Sequence, residues 1–500
     1  VTPAAAALAA ALGAAGALHA APAAFPAAEA PPARRVVVSD AAYAGWADPL
    51  TPAELLRLRL HHYQAGGAQA LPARLALVLL PCTACGTGWL DLLARDLTLR
   101  GGVEVFTAER RGMGLQDRSR LDALLRGEAA KAAGAAGYYL GSAGTPPAWK
   151  RPSKAGIPFV IMWGIRAIHE DIRLAVRRAR ELTGLPVALG GFSGGAVNAL
   201  GFAARRFEDG RAGHQEIAGL VLLDGALLWN DDAQRERFTA GFATWVEGLD
   251  LAEGFWDLRS DQIRAEIAAA LALADPDGWS PLAESLVPPE VAGPGLTNRA
   301  FLGWCLDMGP APARGPLGRL YQLRMGDLAP PPAPGTLTGW ADGGREGEPV
   351  RLAQAAAVAR APGGIFDWYH PAALLREESE VYSGAFNHPE KGITELDAVG
   401  VPVFSVVTGS ARVFGPEEPP LSGTWLFSRI RAAGSESVSV LEMAHADILL
   451  ADAAKEKVFA PLHRWLMKAA SSAGPERPGG APAEGPKESD GPPEAATVSD

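Results

Sequence analysis

The sequence predicts an α/β protein: a mostly parallel sheet flanked by helices. Three observations carry that expectation. Short apolar runs recur without polar alternation, as strands buried on both faces require. Stretches with helical spacing separate them, so strand, helix and strand alternate as right-handed crossovers demand. One such run, Val187-Ala188-Leu189, enters a glycine turn at residues 190–195 and leaves it into the helix formers of residues 196–204.

Taken in order, Val36-Val37-Val38 and residues 56–62 read as an antiparallel flap. Residues 75–80 are continuously apolar and form the first central strand. A glycine-bearing loop, residues 81–88, leads to helical spacing over residues 89–97, closed by Gly101-Gly102. Val103-Glu104-Val105-Phe106 is the next strand, and residues 110–117 turn on glycines. Ile165, Ile168, Ile172, Val176, Ala179 and Leu182 repeat at three- and four-residue steps, an amphipathic helix with arginines outside. Residues 217–225 form another buried strand, with Asp224 at its C-terminal end.

The rhythm lapses over residues 229–395, which hold a helical stretch at 264–273, proline clusters at 330–334 and scattered aromatics. A structureless loop of that length is improbable, so this is expected to be an inserted, mainly helical lid. Strand patterns resume at 401–407 and 438–441, and a last helix is expected over 448–467. The expected organisation is a signal peptide or disordered arm at 1–30, a core at 31–228 and 396–468 interrupted by the lid, and a disordered tail at 469–500.

Residues 8–18 fit the apolar part of an export signal and His19-Ala20-Ala21 its cleavage site, although no basic segment precedes them. Export to the periplasm or outside is the expectation, with the cytoplasm as alternative. No transmembrane segment is expected, because alanine is too weakly apolar. The net charge of −10, without any Lys/Arg block, argues against nucleic acid as a partner. Cys82, Cys85 and Cys305 cannot supply a tetrahedral metal site, so neither metal nor cofactor is expected; Cys82 and Cys85 could close a local disulfide in an exported protein.

The chemistry is expected at Gly191-Phe192-Ser193-Gly194-Gly195. Strand, glycine turn and helix make this G-x-S-x-G a nucleophile elbow. A serine hydroxyl needs a base, and of nine histidines His445 follows the last strand in a loop. There its ring can reach Ser193 at the sheet's C-terminal edge. Trp229, Trp245, Trp256, Trp304, Trp340, Trp368 and Tyr369 fall in the lid. They read either as its own core or as the wall of an apolar pocket facing Ser193. Trp368 and Tyr369, in the densest cluster, and Phe192 are candidate substrate contacts.

Over residues 55–228 and 396–467 the chain resembles the α/β-hydrolase superfamily. Arg111-Gly112-Met113-Gly114 is similar to its Arg-Gly-x-Gly turn, residues 191–195 to its elbow, and His445-Ala446-Asp447 to the His-x-Asp of acid-lipase-like members. The resemblance implies chain order serine, acid, histidine. It also implies an oxyanion hole from the N–H groups of Thr83 and Gly194. The family's His-Gly is here Pro81-Cys82, which puts Cys82 at the pocket in place of glycine. The family's aspartate after the 401–407 strand is missing, Thr408-Gly409 standing there. The acid is therefore Asp224, at a position some lipases use, or Glu417 or Glu418, or absent. Asp447 is expected to orient its own loop or cap the last helix.

These readings imply a serine hydrolase acting on an apolar ester, lactone or lipid through a Ser193 acyl-enzyme. An acyltransferase using the same acyl-enzyme, or a non-catalytic binding protein with an incomplete triad, are the alternatives.

Overall fold

The computed structural model describes residues 34–128, 134–141, 144–225, 231–249, 251, 254–284, 286–308, 316–342, 350–409, 424–430 and 432–472. The expected signal segment, most of the tail, Trp229, Glu417 and Glu418 lie outside the described residues.

The strands are β1 (Arg35–Ala44), β2 (Arg57–Gly66), β3 (Leu75–Leu80), β4 (Val103–Ala108), β5 (Val187–Phe192), β6 (Gly219–Leu223), β7 (Gly326–Ala329), β8 (Gly339–Asp342), β9 (Val403–Thr408) and β10 (Glu436–Val440). Eight form one sheet in the order β1-β2-β4-β3-β5-β6-β9-β10. β1 and β2 pair antiparallel, β2 meets β4 antiparallel, and every other pairing is parallel. The fold class expected from the apolar runs is the one observed. β3, β5, β6 and β9 are buried along their whole length, which is why their sequences lack alternation. β10, at the edge, alternates exposed residues with partly or fully buried ones instead.

Two apolar layers cover the sheet. One includes the helix Asp91–Arg100 and the C-terminal helix Ala460–Ser472, the other the amphipathic helix Ile165–Thr183 and the elbow helix Gly194–Ala203. Gly184, at φ 67°, caps the amphipathic helix in the left-handed conformation. The intervening segment is mainly helical, with helices Asp232–Glu247, Arg259–Ala274, Asn298–Leu306 and Ala372–Ser383 and the small β7–β8 ribbon.

The C-terminal helix departs from expectation. A short helix, Asp447–Leu450, is followed by a break, a π-helical turn at Lys455–Phe459 and then Ala460–Ser472. Pro461 has no N–H to give to an α-helical ladder, and the wider turn before it accommodates that loss. Its His463 is not a free surface group: Nε2 lies 2.7 Å from the Gly101 carbonyl. Among the described residues no helix is long and apolar enough to cross a membrane.

Candidate active site

Ser193 sits between the last residue of β5 and the first of the elbow helix, at φ 55° and ψ −120°. A non-glycine residue there costs on the order of 1–3 kcal/mol, which the surroundings must supply. They do so by close packing. A Cβ on Gly191 would lie 2.2 Å from the Gly195 carbonyl carbon, and one on Gly195 2.3 Å from the Leu80 carbonyl oxygen. The Ser193 N–H donates to the Leu223 carbonyl at 2.9 Å, so the turn is also tied to β6.

Asp224 follows β6, itself at positive φ (45°). Its carboxylate accepts from the Thr408 N–H at 2.9 Å and the Thr408 hydroxyl at 2.7 Å, and lies 2.5 Å from His445 Nδ1. Thr408 therefore occupies the place where the resemblance led one to look for an acid, and it orients the acid of the neighbouring strand. The Phe192 ring lies 4.5 Å from the imidazole, beside the same histidine. Asp447, fully buried, accepts from the Ala444 N–H at 2.8 Å and from Arg324 of the insertion, at N and Nε, at 2.9 and 3.0 Å. It thus holds the His445 loop, and burial raises its pKa.

Thr83 follows β3 and reaches Gly194 from the other side. A Cβ on Gly194 would fall 2.1 Å from Thr83 Oγ1 and 3.2 Å from Thr83 N. Neither backbone N–H has a hydrogen-bond partner among the described residues. Ser193, Asp224, His445 and Thr83 are each partly exposed amid largely buried neighbours. The four follow β3, β5, β6 and β10 on the C-terminal edge of the parallel part of the sheet, where open α/β sheets place their ligands.

The strand order and this elbow decide the architecture. The chain has the α/β-hydrolase fold. No protein-family model matches the chain, and no curated protein does. Among solved structures, it is similar to a candidate lipase of Sulfolobus solfataricus at 15% identity and TM-score 0.45, over 87% of this chain and 94% of that one. A thermophilic esterase of Thermogutta terrifontis matches at 12% identity and TM-score 0.37, over 86% and 99%. A soluble variant of the Saccharomyces cerevisiae monoglyceride lipase matches at 12% and 0.34, over 82% and 92%.

Four candidate substrate contacts of the hydrolase fold are corrected by burial. Trp368 and Tyr369 are fully buried. The Trp368 ring packs 5.7 Å from Trp149 and 5.8 Å from Tyr139, and the Tyr369 ring 5.2 Å from Phe255, so they are core of the insertion and its junction. Phe192 is equally buried, under the imidazole. Cys82 is bridged to Cys85 and buried, so it offers no thiol to a pocket. A cavity lined by Leu80, Pro81, Arg110, Asp171 and Asn198 adjoins the base of the Thr83 loop; Ser193 and His445 are not part of its lining. Among the described residues no three His, Cys, Asp or Glu side chains gather as a metal site would need.

Sequence reasoning missed how the insertion grips the Thr83 loop. Ala84, at φ 56°, donates its N–H to His370 Nδ1 at 3.2 Å. Its carbonyl accepts from the Asp367 N–H, Gln262 Nε2 and Tyr321 Oη at 3.0, 3.1 and 3.2 Å. The Gly86 and Gly88 N–H groups donate to the Ile365 and Gly364 carbonyls. Gly363-Gly364 was the one available signal: both have positive φ, and the backbone there comes close enough that a Cβ on Gly86 would lie 2.3 Å from the Gly363 carbonyl oxygen.

Proposed function

We propose that the chain is a serine hydrolase that cleaves carboxylic esters through a Ser193 acyl-enzyme. The observation that carries this reading is the 2.5 Å contact of His445 Nδ1 with an Asp224 carboxylate held by Thr408, on the strand edge that presents Ser193 at an elbow. That contact fixes the imidazole with its proton on Nδ1 and leaves Nε2 free to take one. Ser193 Oγ attacks the ester carbonyl carbon as its proton passes to His445 Nε2. Asp224 stabilises the imidazolium so formed. The carbonyl oxygen becomes an oxyanion that accepts from the Thr83 and Gly194 N–H groups, each donor lowering the barrier by roughly 3 kcal/mol. The carbon–oxygen bond to the alcohol then breaks, and the alcohol leaves with the proton from His445. Water repeats the sequence on the acyl-enzyme, releasing the acid and restoring Ser193.

The substrate class is an ester, lactone or lipid. Fluorophosphonate labelling of wild type beside Ser193→Ala and His445→Ala tests the reading. Wild type is expected to label at Ser193, Ser193→Ala not at all, and His445→Ala at a rate lower by at least about 10³-fold. A folded wild type that takes no label would remove the nucleophile.

A further inference from the structure

Arg110 is a buried cation that the mechanism above does not use. It occupies the position before the Arg-Gly-x-Gly turn, whose own Arg111 is committed elsewhere, to Asp171 at 2.6 Å and Asp48 at 2.8 Å. The Arg110 guanidinium donates to two backbone carbonyls: Nη1 to Cys82 O at 2.7 Å and Nη2 to Pro81 O. These are the two carbonyls that precede Thr83. The peptide unit is planar and trans, so the Cys82 carbonyl and the Thr83 N–H belong to one rigid group and point in opposite directions. A donor that fixes the carbonyl therefore fixes the N–H. A cationic donor also polarises the group, strengthening the N–H as a donor on the far side.

Its surroundings complete the case. Burying a guanidinium is costly, and here the nearby acids, Asp367 and Glu378, are not hydrogen-bonded to it but act through space. The opposite arm has its own support from the same cluster: Asn198 Nδ2 donates to the Gly194 carbonyl at 2.8 Å and to Glu378 Oε1 at 2.7 Å. One buried polar cluster, spanning the turn after β4, the elbow helix and the insertion, thus holds the Cys82–Thr83 peptide and the first turn of the elbow helix.

We propose that Arg110 is the positioning residue of the oxyanion hole, holding the Cys82–Thr83 peptide so that its N–H faces the reacting carbonyl beside that of Gly194. The proposal rests on the serine-hydrolase reading. Arg110 touches no reacting atom; its effect passes through the peptide it holds.

The test compares wild type, Arg110→Lys and Arg110→Met, each checked for fold by circular dichroism and Tm. A p-nitrophenyl ester supplies kcat and KM, and an aryl trifluoromethyl ketone, whose serine adduct carries the oxyanion, supplies Ki. Arg110→Met is expected to lower kcat by about 10- to 100-fold with KM within about twofold of wild type. Ki should weaken by the same factor, with Arg110→Lys in between. The proposal is overturned if kcat in folded Arg110→Met stays within about twofold, if the loss appears in KM, or if kcat falls while Ki does not move. Loss of fold in both variants would also overturn it, making Arg110 a residue of the fold instead of the loop. A wild type with neither turnover nor serine labelling would instead sink the serine-hydrolase reading itself.

Discussion

Ser193 is flanked by two half-sites built from different parts of the chain. On one side, Asp224 and His445 follow β6 and β10, and Thr408 at the end of β9 hydrogen-bonds the carboxylate. On the other, Thr83 belongs to a loop whose hydrogen bonds run to residues 362–370 of the insertion and to Arg110. In the proposed acid–base half the Asp224 carboxylate is set by the sheet, and Arg324 of the insertion touches only the His445 loop, through Asp447. The proposed oxyanion half is set by contacts made some 280 residues further along the chain, such as Ala84 with His370. Part of the insertion is the scaffold of the Thr83 loop, and on the proposed reading that loop is one arm of the oxyanion hole. Changes in the sheet should act on the histidine, and changes at the insertion junction on transition-state stabilisation.

The largest expected effect is on the sheet side. Asp224→Asn keeps the shape but loses the charge and favours the wrong imidazole tautomer, and should lower kcat by about 10²- to 10⁴-fold. Steady-state turnover of a p-nitrophenyl ester measures it. A near-normal rate would return the acid to Glu417 or Glu418 and end the division into halves.

Gly86→Ala probes the other half. Its new Cβ would meet the Gly363 and Gly364 carbonyl oxygens at 2.3 and 2.5 Å, so the loop and the insertion must separate. Overpacking of this kind costs about 1–3 kcal/mol, read as a lower Tm. A loop shifted by part of an ångström should lower kcat by roughly tenfold. The acid limb of the kcat/KM–pH profile should stay in place, because Thr408, Asp224 and His445 are untouched. A displaced limb would mean that the halves are coupled.

The same division explains what the sequence made legible. The residues that β3, β5 and β6 bury on both faces announce themselves as apolar runs, and the elbow between β5 and its helix needs glycine where backbones touch. Ser193 and His445 could be proposed from the elbow motif and chain order. The acid could not, because Thr408 and Asp224 meet across 184 positions and nothing periodic links them. The grip of residues 362–370 on the Thr83 loop was hidden for the same reason: apart from a few side chains such as His370, it consists of backbone carbonyls and N–H groups, which every residue carries. The aromatics of the insertion showed that something packs there, but a buried core and a pocket wall have the same composition. Burial of Trp368 and Tyr369 settles that they are core.

Glu378 offers the smallest effect and the finest test, since it is a titratable group of the insertion set into the oxyanion support. Burial is the main cause that raises its pKa from 4.5 to about 7, with Glu377 adding to it while the Asn198 hydrogen bond and Arg110 act the other way. Because the folded-state value lies above the unfolded one, the native protein keeps a proton that the unfolded chain gives up. The stability from that proton is fully present below about pH 4.5 and is lost as pH rises through about 7, on the order of 3 kcal/mol in all. Glu378→Gln keeps the amide-length side chain and removes the titration. Relative to wild type it should gain a few degrees of Tm at pH 8 compared with pH 5, in line with a difference of that size. With Asp224 and His445 unaffected, its kcat at pH 6, where wild-type Glu378 is mostly protonated, should stay within about threefold of wild type. Parallel Tm–pH curves for the two proteins would show that Glu378 does not carry this proton.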